Sequence, residues 1–150
     1  MRVGVISDTH GVLSGDAHRA LAGAERIIHA GDVGGQAVLD DLARIAPVSA
    51  VEGNTDRGWS HGRLPVRLVV QCGDRGILVG HKLPELVRGG VPEGVHIVVY
   101  GHTHVAAARE IDGILYVNPG SACQPRDGSA PSVAVIDIAG ERLSVRHVFF

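Results

Sequence analysis

Aromatic side chains are scarce: two Phe, two Tyr and one Trp stand in 150 residues. Aliphatic side chains and alanine must therefore fill the interior. Cysteine is as rare. Cys72 and Cys123 could pair in principle, but without a secretory leader they read as reduced thiols, and a cytoplasmic location is expected. The opening MRVGVISDTH is not such a leader, because Asp8 and His10 break its apolar run. No apolar stretch approaches the ~20 residues of a membrane span, so no membrane partner is expected. Nor is there a Lys/Arg run of the kind that tracks a phosphate backbone; with a net charge of −2, no nucleic-acid polymer is expected as partner. Repeats, linkers and low-complexity segments are also absent, which leaves a single domain over 1–150.

What the chain does have is histidine, nine in all, within a composition that is 45% hydrophobic and 20% charged, as in globular proteins. Their positions matter more than their number. The first third alternates strand and helix. RVGVIS (2–7), RIIHA (26–30) and PVSAVEG (47–53) read as buried strands. Helical spacing covers 14–24, with Ser14 as cap, and 35–45, with Val38, Leu39, Leu42 and Ile45 on one face. Such a βαβαβ opening implies parallel strands. The remainder is richer in strands: hairpins over 66–72/76–80, 106–111/114–118 and 131–138/142–150, and a strand at 95–100. Two sheets with helices outside are expected.

Polar residues follow the strands in a regular way. Asp8-Thr9-His10, Gly31-Asp32, Gly53-Asn54-Thr55-Asp56, His81 and Gly101-His102-Thr103-His104 each follow an expected strand end. Ligands of open α/β sheets bind outside the carboxyl ends of strands. In extended chain, side chains two apart share a side, so Asp8 with His10, and His102 with His104, are expected to face one site together. Asp8, His10, Asp32, Asn54, His81, His102 and His104 offer nitrogen and oxygen donors and no thiolate. That set suits Mn, Fe, Ni, Co or Zn, and histidine argues against Ca or Mg alone. One first-row ion cannot take them all. Two ions sharing a carboxylate, roughly 3.5–4 Å apart, can.

These pieces (DTH at 8–10, GD at 31–32, GNTD at 53–56, His81, GHTH at 101–104 and NPGS at 118–121) resemble, in order, the calcineurin-like metallophosphoesterases, and most closely their small bacterial and archaeal phosphodiesterase branch. The resemblance implies a four-layer α/β/β/α sandwich of two mixed β-sheets flanked by helices. It implies a dinuclear centre in which Asp8, His10 and His104 bind one ion, Asn54, His81 and His102 bind the other, and Asp32 bridges. Manganese is the expected metal, with nickel, zinc, iron or cobalt as alternatives. The expected reaction is attack of a metal-bridging hydroxide on the phosphorus of a small phosphoester. Two divalent ions, two aspartates and the hydroxide leave one positive charge, which suits a phosphodiester, and neutral Asn54 preserves that surplus. Asp8, Asp32, Asn54 and Asp56 form the expected catalytic set, Asp56 by orienting His10 or another ligand. Many larger relatives carry a histidine acid where Thr55 stands, and relatives often carry a glycine at position 82, where Lys82 puts a cation near the substrate mouth. Relatives are often homodimers or homotetramers.

Blander readings apply elsewhere. His18 reads as solvated, His29 as a satisfied core histidine, and His61, His96 and His147 as without chemistry. NPGS is either a plain turn or support for the metal loops. Arg57 and Arg126 are surface charges or anion contacts, and Trp59 lines a pocket or a subunit contact. The alternatives to a phosphodiesterase are a phosphomonoesterase and a non-catalytic scaffold like the retromer subunit of this fold.

Overall fold

The computed structural model describes residues 1–150. The chain runs β1 (Arg2–Ile6), α1 (Gly15–Ala20), β2 (Arg26–His29), α2 (Gln36–Ala43), β3 (Val48–Ala50), α3 (Arg57–Ser60), β4 (Arg67–Cys72) and β5 (Arg75–Gly80). It continues through α4 (Leu83–Leu86), β6 (Val95–Val99), β7 (Ala106–Ile111), β8 (Ile114–Pro119), β9 (Ser132–Ala139) and β10 (Arg142–Phe149). One sheet has the order β10-β9-β1-β2-β3 and the other β4-β5-β6-β8-β7. β1, β2 and β3 are parallel, as are β5, β6 and β8, while the flanking pairs are antiparallel. Both sheets are therefore mixed.

Period-two alternation builds the layers. Val3 and Val5 of β1, Ile77 and Val79 of β5, Ile97 and Val99 of β6, and Ala134 and Ile136 of β9 form one buried cluster between the sheets. The opposite face of the first sheet offers Ile6 and Ile27 to Ala17 and Leu21 of the α1 segment and Val38 and Leu42 of α2. The opposite face of the second offers Leu78, Val98 and Tyr100 to Leu86 of α4. Helix, sheet, sheet and helix thus stack as a four-layer sandwich whose last layer is one short turn. Aliphatic side chains dominate all three clusters, in keeping with the shortage of aromatics.

Boundaries differ from the sequence expectation for physical reasons. Ser14 does cap α1, its Oγ accepting from the Ala17 N–H at 3.1 Å. The helix nonetheless ends at Ala20: Leu21, its C-cap, still donates to the Ala17 carbonyl at 3.1 Å, but the Ala22 and Ala24 N–H groups reach back only three residues, while Leu21 and Ala24 pack against the same cluster. An apolar pattern records burial and not the bonding that defines a helix. β3 shrinks to three residues: Val51 still donates to the His29 carbonyl at 3.1 Å, and beyond it the chain turns toward the site. α3 and α4, of four residues each, are too short to show a period. Both cysteines are free, Cys72 buried and Cys123 half-buried. No helix is long and apolar enough to cross a membrane.

Ile97 is fully buried between the sheets. Ile97→Ala is expected to lower stability by about 2–5 kcal/mol, read from the urea unfolding midpoint at unchanged slope.

Candidate metal centre

β1, β2, β3, β5 and β6 all deliver their carboxyl ends to one edge of the sandwich, and each of the sequence-derived candidates lies just beyond one of them. Asp8 follows β1, Asp32 follows β2, Asn54 follows β3, His81 follows β5, and His102 and His104 lie between β6 and β7. The side chains meet. His104 Nε2 is 3.2 Å from Asp8 Oδ1 and 3.5 Å from His10 Nε2. His81 Nε2 is 3.4 Å from Asp32 Oδ2 and 3.9 Å from Asp8 Oδ1, and His10 Nε2 is 4.0 Å from Asp32 Oδ2. The His102 ring stands edge-on to His81 with centroids 5.2 Å apart. Asn54, exposed, lines a cleft beside His81.

The expected extended geometry of the paired ligands is wrong. Asp8 (φ 52°), His10 (45°), Asp32 (53°), His102 (69°) and His104 (62°) are all left-handed. The strands have ended, so alternation no longer applies, and tight turns aim these side chains instead. A non-glycine residue held there costs on the order of 1–3 kcal/mol, and such strain clusters at functional sites. Close approach adds a second constraint. A Cβ on Gly53 would fall 2.1 Å from the Asp32 N and Oδ1 atoms, and one on Gly31 would fall 2.8 Å from His81 Nδ1.

The outer atoms of the ligands are held while the inner ones are left bare. Asp8 Oδ2 accepts from Ser7 Oγ at 2.7 Å and from the His102 N–H at 3.1 Å. Asp32 Oδ1 accepts from the Thr55 N–H at 2.9 Å. His81 Nδ1 donates to the Ala30 carbonyl at 2.8 Å and His104 Nδ1 to the Gln124 carbonyl at 2.6 Å, which turns each Nε2 lone pair inward. Asp8 Oδ1 and His81 Nε2 are buried with no hydrogen-bond partner. Such atoms are costly to bury unless a cation satisfies them. Two groups of donors, Asp8/His10/His104 and Asp8/Asp32/His81, each have their ligand atoms within 4.8 Å of one another, close enough to share an ion. The residues therefore fit divalent metal. Asp8 belongs to both groups, and Asp32 Oδ2 also faces His10 on one side and His81 on the other.

Electrostatics agree. Burial pushes the Asp8 carboxyl up, against the Ser7 hydrogen bond and His81. Burial would raise Asp32 too, but His81 and the Thr55 N–H outweigh it and hold Asp32 below the usual carboxylate range. Burial lowers His29 to about 3, so it is a neutral ring. Its Nδ1 accepts from the Gly31 N–H at 3.2 Å and its Nε2 lies 2.9 Å from Thr9 Oγ1, which makes it a satisfied core histidine bracing the loops.

Asp56 needs correcting. It makes no bond to His10 or to any other candidate ligand side chain, and acts on the ligands only through the backbone of their loops. Its buried carboxylate accepts from the N–H groups of Val33 (3.1 Å), Gly34 (2.9 Å) and Gly53 (2.8 Å) and from Trp59 Nε1 (2.8 Å). It ties the loop after β2 to the loop after β3, and Trp59 packs on the helix-side core rather than lining a pocket. NPGS proves to be support. Asn118 Nδ2 holds the Gly101 carbonyl and Thr103 Oγ1, both at 3.0 Å, and Ser121 Oγ donates to the Asp8 carbonyl at 2.9 Å. Ser7 carried no signal beyond standing next to Asp8, and His147 reaches the Asn118 carbonyl at 2.8 Å from the far end of the chain.

Comparison with known proteins gives one consistent picture. The profile of the calcineurin-like phosphoesterase superfamily domain matches residues 1–141. A probable metallophosphoesterase of Methanothermobacter thermautotrophicus is 34% identical over 154 aligned positions, covering 95% of this chain and 89% of the relative. A phosphodiesterase of Methanocaldococcus jannaschii is 26% identical, covering 91% and 93%. In fold, Vps29 of Chaetomium thermophilum superposes with a TM-score of 0.77 at 20% identity, over 99% of this chain and 95% of that one.

Removing Asp56 strips three backbone N–H groups of their acceptor. Asp56→Ala is expected to cost about 3 kcal/mol or more in unfolding free energy and to weaken divalent-metal uptake roughly 10–100-fold. Urea denaturation and metal titration by calorimetry check the two effects.

Proposed function

The chain belongs to the calcineurin-like phosphoesterase superfamily, and we propose that within it this protein is a phosphodiesterase working with two divalent metal ions. The observation that carries the reading is the pair of bare, buried donor atoms, Asp8 Oδ1 and His81 Nε2, at the meeting point of the strand ends. Asp8, His10 and His104 would hold one ion and Asn54, His81 and His102 the other, with Asp32 shared between them; Asp32 Oδ1 already accepts from the Thr55 N–H, and Oδ2 faces both His10 and His81. Manganese, or another first-row ion such as nickel, zinc, iron or cobalt, matches these nitrogen and oxygen donors. Bound there, the ions supply Lewis-acid polarisation of a phosphoryl oxygen and a water acidic enough to ionise near neutral pH.

The residues set the rest. Asn54 brings a donor without a charge, so only Asp8 and Asp32 offset the ions and the centre stays positive toward a monoanionic diester. Ser7 and the His102 N–H fix the Asp8 carboxylate, and Ala30 and Gln124 fix the His81 and His104 rings, so the donors are oriented before any ligand arrives. Thr55 stands exposed beside Asn54 and has no acidic proton at neutral pH, so leaving-group departure has no side-chain acid at this position.

Two outcomes are expected. Chelation should abolish hydrolysis of bis-p-nitrophenyl phosphate and Mn²⁺ should restore it. Asp32→Ala and Asn54→Ala should each lower kcat/KM at least about 100-fold, comparable to losing one preorganised electrostatic group; metal uptake without turnover of any mono- or diester would instead indicate a scaffold. With Thr55 in place of an acid, aryl diesters should outpace alkyl diesters by about 100-fold or more. Steady-state rates on a leaving-group series measure this, and equal rates would reveal another acid.

A further inference from the structure

We infer that the cleft next to Asn54 and His81 is an anion subsite that takes a second phosphoryl group of the substrate, with Arg67 as its anchor. The inference rests on the phosphoesterase reading above and names the substrate class: phosphodiesters that carry another phosphoryl group beyond the scissile one.

The cleft has a volume of about 240 Å³ and opens directly from the centre, because Gly53-Asn54 and Gly80-His81 form its inner wall. Its other walls bring together three cations, Arg57, Arg67 and Lys82, and two carboxylates, Glu52 and Glu85. Only Val66 and Leu86 are apolar, so the cavity does not match a hydrophobic ring.

The carboxylates do not consume the positive charge. Glu52 accepts from Ser60 Oγ at 2.6 Å through Oε2 and lies 3.6 Å from Arg57 Nε through Oε1. Glu85 is 3.9 Å from Lys82 Nζ and is itself exposed. The Lys82–Glu85 pair is long and solvent-screened, hence weak; Glu52 is largely buried but shares its charge with Ser60, and the three cations still outnumber the two carboxylates. Arg67 has neither an ion pair nor a side-chain hydrogen bond. Its place is nevertheless rigid: the antiparallel ladder sets it opposite Gly80, the residue before His81. The ladder fixes where Arg67 stands, one step from a candidate ligand, and its exposed, unpaired guanidinium is free to turn onto an anion in the cleft. Its planar fork matches two phosphate oxygens, and Lys82 adds a point charge from the other wall.

The experiment compares two chromogenic diesters with the Mn²⁺-loaded protein. One is the p-nitrophenyl ester of thymidine 5′-phosphate, and the other is the same ester bearing a 3′-phosphate. The 3′-phosphorylated ester is expected to have a kcat/KM about tenfold higher, expressed mainly in KM, the size of one charge-assisted hydrogen-bonded contact. Arg67→Ala should bring the ratio of the two substrates close to one, Arg67→Lys should keep part of it, and Arg67→Glu should invert it. Calorimetric binding of thymidine 3′,5′-bisphosphate against thymidine 5′-monophosphate should show the same preference and the same dependence on position 67. A ratio near one in the unsubstituted protein, or a preference unaltered by Arg67→Ala and Arg67→Glu, overturns the subsite. If neither ester is hydrolysed, the hydrolase reading fails, and the calorimetric comparison still decides the subsite on its own.

Discussion

Asp8 Oδ1 and His81 Nε2 lie 3.9 Å apart, both buried and both without a hydrogen-bond partner. Much of the molecule is arranged to keep them that way. Each group is saturated on its other polar atom, Asp8 by Ser7 and the His102 N–H, His81 by the Ala30 carbonyl. Those bonds also join the sheets at this edge: Asp8 and Ala30 follow strands of the first sheet, and His102 and His81 follow strands of the second. The same contacts that pin the ligands therefore pin the sandwich. Desolvating a carboxylate in such a place is unfavourable unless a cation arrives, which is why the fold and the metal site are a single physical problem.

Backbone strain belongs to that problem. Asp8, His10, Asp32, His102 and His104 all occupy left-handed conformations. Asp and His tolerate that region better than bulky or β-branched residues do, so one choice of residue serves both the turn and the coordination. Asp56 and Asn118 hold the turns in place. Asp56 gathers N–H groups from the loops after β2 and β3, and Asn118 ties down the segment between β6 and β7. Neither side chain makes a bond to a candidate ligand side chain, yet the positions of those side chains depend on both.

The fold was legible because burial repeats with a short period. Val3 and Val5, Ile77 and Val79, Ile97 and Val99 alternate as strands between layers must, and the expected strands fall where the structure has them. The donor set was legible for another reason: Asp8, His10, Asp32, His81, His102 and His104 are residue types with few other purposes at a strand end, and the structure gathers them within short distances. Asp56 was misread, since an acid beside ligands looks alike whether it accepts from an imidazole or from backbone. Ser7 carried no signal beyond its place next to Asp8, and Arg67 none. Serine and arginine are common, and only their neighbours distinguish these two.

The sequence by itself thus determined the donor chemistry, the alternation of layers and the chain order in which donors reach the site, because all three are written in residue type and local period. Tertiary structure alone decided which oxygen of Asp8 stays bare, which loops Asp56 joins and that Arg67 stands unpaired beside His81. Those outcomes depend on contacts between residues far apart in the chain, such as Ser7 with Gly120 and Asp8 with His102. No local pattern encodes such contacts, because they exist only where the two sheets pack face to face.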